Sequence, residues 1–222
     1  MTPSGESALT IDEARADEAF QEQCLELLQP YYVTPEIPLR YALDHEGTHV
    51  YLAGTNARLE GFFFARLPEQ VLPGRPPIGY MGLTAAANSG DQRKSRRLWT
   101  RYLEHARREN EGRKLWAWYR TASAFGLYPC HSLLQDGEPK LDGSFSKDGA
   151  RLIGELRSHY GLVSDPSERN PFVVRAFASA RYTEFERDRI ERFCSPEAAH
   201  FFRDLAVDEA NGDRLLMIGR IP

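Results

Sequence analysis

Residues Leu59–Leu67 read LEGFFFARL, and this run limits the possible folds more than any other segment. A strand that is apolar on nearly every position has no side to give to water, so it belongs inside a sheet covered on both faces. It follows Thr48–Gly54, THVYLAG, across the short polar stretch Thr55–Arg58, which predicts an antiparallel hairpin. Ile78–Ala86 (IGYMGLTAA) and Lys114–Tyr119 (KLWAWY) predict two further strands, and the four-proline stretch 68–77 predicts a loop. Between the two strands Leu98, Trp99, Tyr102, Leu103 and Ala106 form one apolar stripe, which predicts a helix over Ser95–Asn110 with its arginines largely outside the stripe.

The flanking segments fill in an α/β layout. Ile11–Gln29 has helical periodicity, with Thr10 and Glu13 placed as a capping box and Pro30 as the stop. The proline- and tyrosine-rich stretch 30–38 reads as an irregular connection. Later come a helix at Ser146–Tyr160, a strand at Phe172–Ala178, helices near Tyr182–Phe193 and Pro196–Val207, the second capped by Ser195, and a last strand at Arg214–Ile221. The expectation is a mixed central sheet flanked by helices on both faces. With 222 residues, 41% of them hydrophobic, the chain can bury a full core without metal or disulfide staples. The expected organisation is a main domain over residues 1–178, its sheet closed by the 172–178 strand, with residues 179–222 as a C-terminal α/β extension packed on it.

Composition excludes several classes. No apolar run reaches the roughly 18 residues of a membrane span, and MTPSGESALT lacks the basic and apolar regions of a signal peptide, so a cytoplasmic protein with no membrane partner is expected. Cys24, Cys130 and Cys194 are odd in number and scattered, which suits three separate thiols in a reducing compartment. A net charge of −4 argues against general nucleic-acid binding. The charge is unevenly spread, however. Between Asp91 and Lys114 nine Lys or Arg stand against four Asp or Glu, a local +5. Gln92, Arg93, Lys94, Ser95, Arg96 and Arg97 gather where the predicted helix starts, and free N–H groups, the positive helix end and several cations together suit a phosphate.

At these residues the chain resembles the GNAT superfamily of acyl-CoA-dependent N-acyltransferases, in which a strand leads into Q/R-x-x-G-x-G/A at a helix start. Gln92 matches; Ser95 and Arg97 stand where the family has glycine, so the loop is degenerate. After the next strand, Thr121–Tyr128 matches the family's N-x-x-A-x-x-x-Y at Ala124 and Tyr128, with threonine in place of asparagine. The resemblance covers roughly residues 10–135. It implies a GNAT-like fold and transfer of an acetyl or other acyl group from acyl-CoA to an amine by direct attack. It also implies backbone contacts to pantetheine near Leu83, Thr84 and Ala85, pyrophosphate binding by residues 92–97, and Tyr128 as the acid that protonates the departing thiolate. Acetyl-CoA or another acyl-CoA is then the co-substrate and an amine the acceptor; no metal is required, and a homodimer is compatible. The alternative is a non-catalytic binding or assembly module of the same fold whose cofactor loop has lost its glycines.

The amine needs a base, and Glu60 is the only carboxylate on the predicted central strands; His45, His49 and an ordered water are the other candidates. His45-Glu46-Gly47-Thr48-His49 spells HExxH, which binds zinc only when a helix places the histidines one turn apart. Gly47 and Thr48 are poor helix formers and Val50, Tyr51 and Leu52 favour a strand, so a zinc site is not expected. Cys130 and His131 are adjacent, where side chains rarely face each other, and Trp99, Trp116 and Trp118 fall at core positions.

Overall fold

The computed structural model describes residues 8–55, 58–87, 93–162, 170–175 and 180–222. A short strand, β1 (Ala8–Thr10), leads into α1 (Ile11–Ala16), where Thr10 and Glu13 form the expected capping box. The predicted single helix is two: the Asp17 side chain accepts from the Phe20 amide at 2.9 Å, and α2 (Glu18–Leu28) starts there. A side chain that satisfies first-turn donors starts a new helix more readily than it continues an old one. The stretch expected to be irregular holds α3 (Glu36–Leu43). Pro35 is its N-cap and Pro38 lies in its first turn, where a missing N–H costs no intrahelical bond.

The hairpin is β2 (Thr48–Thr55) and β3 (Arg58–Glu69), followed by β4 (Ile78–Ala86), α4 (Arg93–Glu109) and β5 (Leu115–Thr121). Next come a 3₁₀ turn at Ala124–Gly126, α5 (Leu127–Ser132), β6 (Gln135–Glu138), α6 (Lys147–His159) capped by Ser146, and β7 (Val173–Arg175). The chain ends with α7 (Glu184–Phe193), α8 (Pro196–Asp204) capped by Ser195, and β8 (Asp213–Ile221). These strands form one sheet in the order β1-β2-β3-β4-β5-β8-β6, with β7 also on β8. All neighbours are antiparallel except β4 and β5. The sheet is therefore mixed, as expected.

Phe62, Phe63 and Phe64 are at most 1% exposed. Phe62 and Phe64 pack with Val50 and Ala85 against Phe20, Cys24 and Leu39 of the N-terminal helices. Phe63, Ala65, Tyr51 and Met81 form the opposite face with Leu98, Tyr102 and Leu103 of α4. That is the two-sided covering the phenylalanine run demands. Tyr102 also fixes the seat of α4, since a Cβ at Gly79 would lie 2.1 Å from its hydroxyl oxygen.

One assignment changes. The strand beside β5 is β8, and the 172–178 segment, of which residues 176–178 lie outside the described residues, supplies only the three-residue β7 on the far side of β8. β8 pairs with β5 along Leu115↔Ile221 to Thr121↔Leu215, and Leu215, Leu216, Met217 and Ile218 are fully buried. Ile218→Ala is expected to cost about 2 to 5 kcal/mol in urea unfolding, and truncation after residue 212 to abolish the cooperative transition.

Candidate functional site

The site begins with a parting of strands. β4 and β5 pair from Ile78↔Trp116 to Met81↔Tyr119 and then diverge. Beyond that point β4 stays on β3, through Phe62↔Ala85 and Gly61↔Ala86, while β5 stays on β8, through Arg120↔Leu216 and Thr121↔Leu215. Between Met81 and Thr84 the β3–β4 register slips by one, with Ala65↔Met81 followed by Phe63↔Thr84, so β4 carries an extra residue there. A bulge of this kind bends its strand and increases local twist. Among the described residues the edge of β4 over Gly82–Ala86 that faces β5 has no strand on it, and a cavity of about 840 Å³ occupies the gap. Leu83, Thr84 and Ala85 line it, as do Ser123, Ala124 and Tyr128 from the β5 side.

The first turn of α4 borders the same cavity and holds no acidic residue. Arg93, Ser95 and Arg96 line the cavity. Lys94 and Arg97 do not: Arg97 is exposed, and Lys94 Nζ donates to Glu60 Oε2 at 2.7 Å. Gln92 lies outside the described residues. Glu60 is on β3 and is not part of the cavity wall. The hydrogen bond and charge of Lys94 lower its pKa, which favours the bare carboxylate as an ion-pair partner and weakens it as a proton acceptor. The expectation of Glu60 as base therefore meets a carboxylate already occupied and outside the cavity.

Tyr128 stands on α5, half-buried, its ring 6.0 Å from that of Trp99 and the Arg96 guanidinium 6.0 Å above it. The Ser123 hydroxyl accepts from the Phe125 amide and starts the 3₁₀ turn that carries the chain from β5 into α5. Tyr128 thus sits on the α4 side of the strand gap.

On the other side, toward α3, the wall is built from Tyr41, His45, Tyr80 and Arg120. Arg120 Nη2 donates to the hydroxyls of Tyr41 (2.7 Å) and Tyr80 (2.9 Å), and its guanidinium lies 4.9 Å from the Tyr41 ring centroid. His45 packs on Tyr41, ring centroids 4.3 Å apart, and its Nδ1 is 2.7 Å from the Tyr41 carbonyl oxygen. A carbonyl only accepts, so Nδ1 carries the proton and Nε2 of the neutral ring keeps its lone pair. Burial first, and then Arg66 and Arg120, lower the His45 pKa against the opposing pull of the Tyr41 carbonyl and Asp44. His49 is on β2 with its ring 5.2 Å from His105, so the HExxH pattern does not assemble. Among the described residues no group of three His, Cys, Asp or Glu could hold a metal.

The C-terminal segment roofs this side. Thr183 N donates to the Tyr31 carbonyl and Val33 N to the Arg181 carbonyl, both at 3.0 Å, and the Tyr32 and Tyr182 rings meet at 5.4 Å, tilted by 56°. From α7, Arg189 lies 4.4 Å from the Phe125 ring centroid and 5.3 Å from that of Tyr31. Glu186, 5% exposed, accepts from Arg189 Nε and Nη2 at 2.6 and 2.8 Å. Sequence reading missed Tyr41, Tyr80, Arg120, Glu186 and Arg189, whose only signal was a polar or aromatic residue at a position that a strand or helix pattern gave to the core or to water.

No family model matches the sequence, and no curated protein matches it. The structure is similar to the ribosomal-protein-S18-alanine N-acetyltransferase from Escherichia coli, at 9% identity over 97% of this chain and 94% of that one, TM-score 0.44. It is also similar to an aminoglycoside 6'-N-acetyltransferase complexed with coenzyme A, at 9% identity over 98% and 97% of the two chains, TM-score 0.42. A third is an acyl-CoA N-acyltransferase from Pseudomonas aeruginosa, at 14% identity over 62% and 92%, TM-score 0.36. No described helix is long and apolar enough to cross a membrane.

The Glu186–Arg189 pair is open to a direct check. Glu186→Ala leaves the Arg189 cation against two rings without its carboxylate, and a loss of about 1 to 3 kcal/mol in urea unfolding is expected, less than for a fully buried pair. The double variant Glu186→Gln with Arg189→Met is expected to recover most of it.

Proposed function

We propose that the chain is an acyltransferase of the GNAT type that moves an acetyl or other acyl group from acyl-CoA to an amine by direct attack. The observation that carries this reading is a single cavity that joins a cationic helix start to Tyr128 through the gap between β4 and β5. Arg93, Arg96 and the first-turn amides of α4 bind the pyrophosphate, since helix N-termini and guanidinium groups both favour phosphate oxygens. Ser95 stands at a family glycine position and narrows the approach, whereas Arg97 points away from the cavity and leaves it open. The pantetheine arm takes the place a paired strand would have along Leu83–Ala85.

In the reaction the amine nitrogen attacks the thioester carbonyl, a C–N bond forms and the C–S bond breaks. Tyr128 gives its hydroxyl proton to the departing sulfur; among the described residues that hydroxyl makes no hydrogen bond that would hold it elsewhere. His45 Nε2 takes a proton from the amine, directly or through one water. Its lowered pKa keeps it neutral at physiological pH.

Acetyl-CoA titrated into the full chain is expected to bind, and at 100 times its Kd to raise stability by about 2.7 kcal/mol; no binding and no stabilisation overturns the reading. Tyr128→Phe is expected to lower kcat by roughly a hundredfold with acetyl-CoA affinity unchanged. Where kcat/KM falls toward acid through protonation of His45, the midpoint lies below the usual 6.5, and His45→Gln removes that limb; retention of the limb in the variant rules His45 out.

A further inference from the structure

We infer that the acceptor is a compact amine with an aromatic body, seated on the α3 side of the cavity among Tyr41, Phe125 and Tyr182 and against Phe193 of α7. The inference rests on the acyltransferase reading for the word acceptor, but the ring-binding site stands on its own observations.

The first observation is what the wall is made of. Tyr31, Tyr41, Tyr80, Phe125, Tyr182 and Phe193 all line the cavity. They come from the 30–33 segment, α3, β4, the turn after β5 and the two ends of the C-terminal roof, so separate parts of the chain converge on one aromatic lining. Their neighbours are tilted rather than flat against one another, as with Tyr32 on Tyr182 at 56° and His45 on Tyr41 at 51°. Aromatic rings favour offset and edge-to-face contacts, so a wall of tilted rings offers both faces and edges to one more ring. Small-molecule sites are commonly built this way, with a few polar groups that fix orientation.

The second is where the polar groups of that wall are directed. Tyr31 donates its hydroxyl proton to the Ala86 carbonyl at 3.0 Å, and Arg120 donates to the hydroxyls of Tyr41 and Tyr80. Arg214 donates through Nη1 and Nη2 to the Asp213 and Ala180 carbonyls at 2.7 and 2.6 Å. Glu186, the one carboxylate among the described residues of the wall, is held by Arg189. These groups spend their hydrogen bonds inside the protein, and what the wall turns to a ligand is chiefly ring surface. A chain with several ammonium groups needs several carboxylates and does not match it. His45 adjoins Tyr41, so an amine one or two bonds from a ring lying on this wall can reach the Nε2 lone pair.

The third is the face that α7 presents. Glu186, Arg189 and Phe193 are spaced at i, i+3 and i+7, which is one helical face, and all three line the cavity. The first two are locked to each other. Phe193 is 64% exposed although it belongs to the cavity wall, and Glu186 is the only residue of α7 that is buried. An aromatic ligand against Phe193 covers apolar surface that the protein itself leaves open. The 30–33 segment is hydrogen-bonded to residues 181–183, and Arg189 bridges Tyr31 and Phe125, so the space beneath is roofed and suits a compact body.

The test reads binding to the full chain by calorimetry, with and without saturating coenzyme A. It compares benzylamine with cyclohexylmethylamine, primary amines of equal charge and similar size, and both with spermidine. Benzylamine is expected to bind roughly three- to tenfold tighter than cyclohexylmethylamine, the range that ring–ring contact adds to apolar area alone. Phe193→Ala is expected to weaken benzylamine binding about threefold or more. Phe185→Ala, on the same helix but outside the cavity wall, is expected to leave it unchanged. Both side chains are exposed, so neither variant threatens the fold. Equal binding of the matched pair, spermidine tighter than benzylamine, a Phe193→Ala variant that binds benzylamine as the parent does, or no binding of any probe at about 10 mM under either condition overturns the inference. Acetyl-CoA binding with no ring preference sinks this inference and leaves the acyltransferase reading; a ring preference without acetyl-CoA binding does the reverse.

Discussion

The parting of β4 from β5 is the constraint on which the rest of the molecule depends. Two parallel strands that pair for four residues and then separate leave backbone donors and acceptors without a ladder, and buried groups of that kind are costly unless something else meets them. The sheet tolerates the gap because each strand is anchored on its other side along its whole length, β4 by β3 and β5 by β8. The last nine-residue strand is therefore a structural condition of the cavity. Without β8, β5 beyond Tyr119 would have no partner on either edge.

Charge follows the same division. The mild net charge of −4 hides a +5 segment, and the structure spreads that segment's cations unevenly. Lys94 is drawn to Glu60, Arg97 faces water, and Arg93 and Arg96 border the cavity. On the α3 side the cavity wall also holds Arg120, Arg189 and Arg214, from β5, α7 and β8, with Arg189 paired to Glu186.

Local patterns carried the sequence reading as far as local physics reaches. The phenylalanine run placed β3 correctly because continuous apolarity has one meaning in a strand, and the stripe of Leu98, Tyr102 and Leu103 placed α4. Failures began where a residue's meaning depends on distant chain. The prolines of 30–38 read as breakers, yet Pro35 and Pro38 fall in the one part of a helix that accepts them. Nothing near residues 213–221 says that they lie beside β5, since strand order is set by packing over about 100 residues of separation. Glu60 looked like a lone carboxylate on a central strand because its partner, Lys94, is 34 residues away. Tyr41, Tyr80 and Arg120 belong to three elements and acquire a role only when their hydroxyls and guanidinium meet. Tyr128, singled out by a spacing motif that travels with the turn after β5, lines the cavity.

The placement of the two proton-handling groups bears on how such a reaction can be run. In the proposed mechanism Tyr128 stands on the α4 side of the gap and His45 on the α3 side. A base and an acid on one face could exchange their proton with each other and idle. Here the strand gap lies between them, and the attacking amine and the departing sulfur must be the link. The neutral, Nδ1-protonated His45, just past the end of α3, is held in that form by the Tyr41 main-chain carbonyl of that helix, which cannot lose its place without unwinding α3. Pre-setting the tautomer this way removes a reorganisation step from catalysis, and it makes α3, the helix that proline content concealed, the element that aims the base.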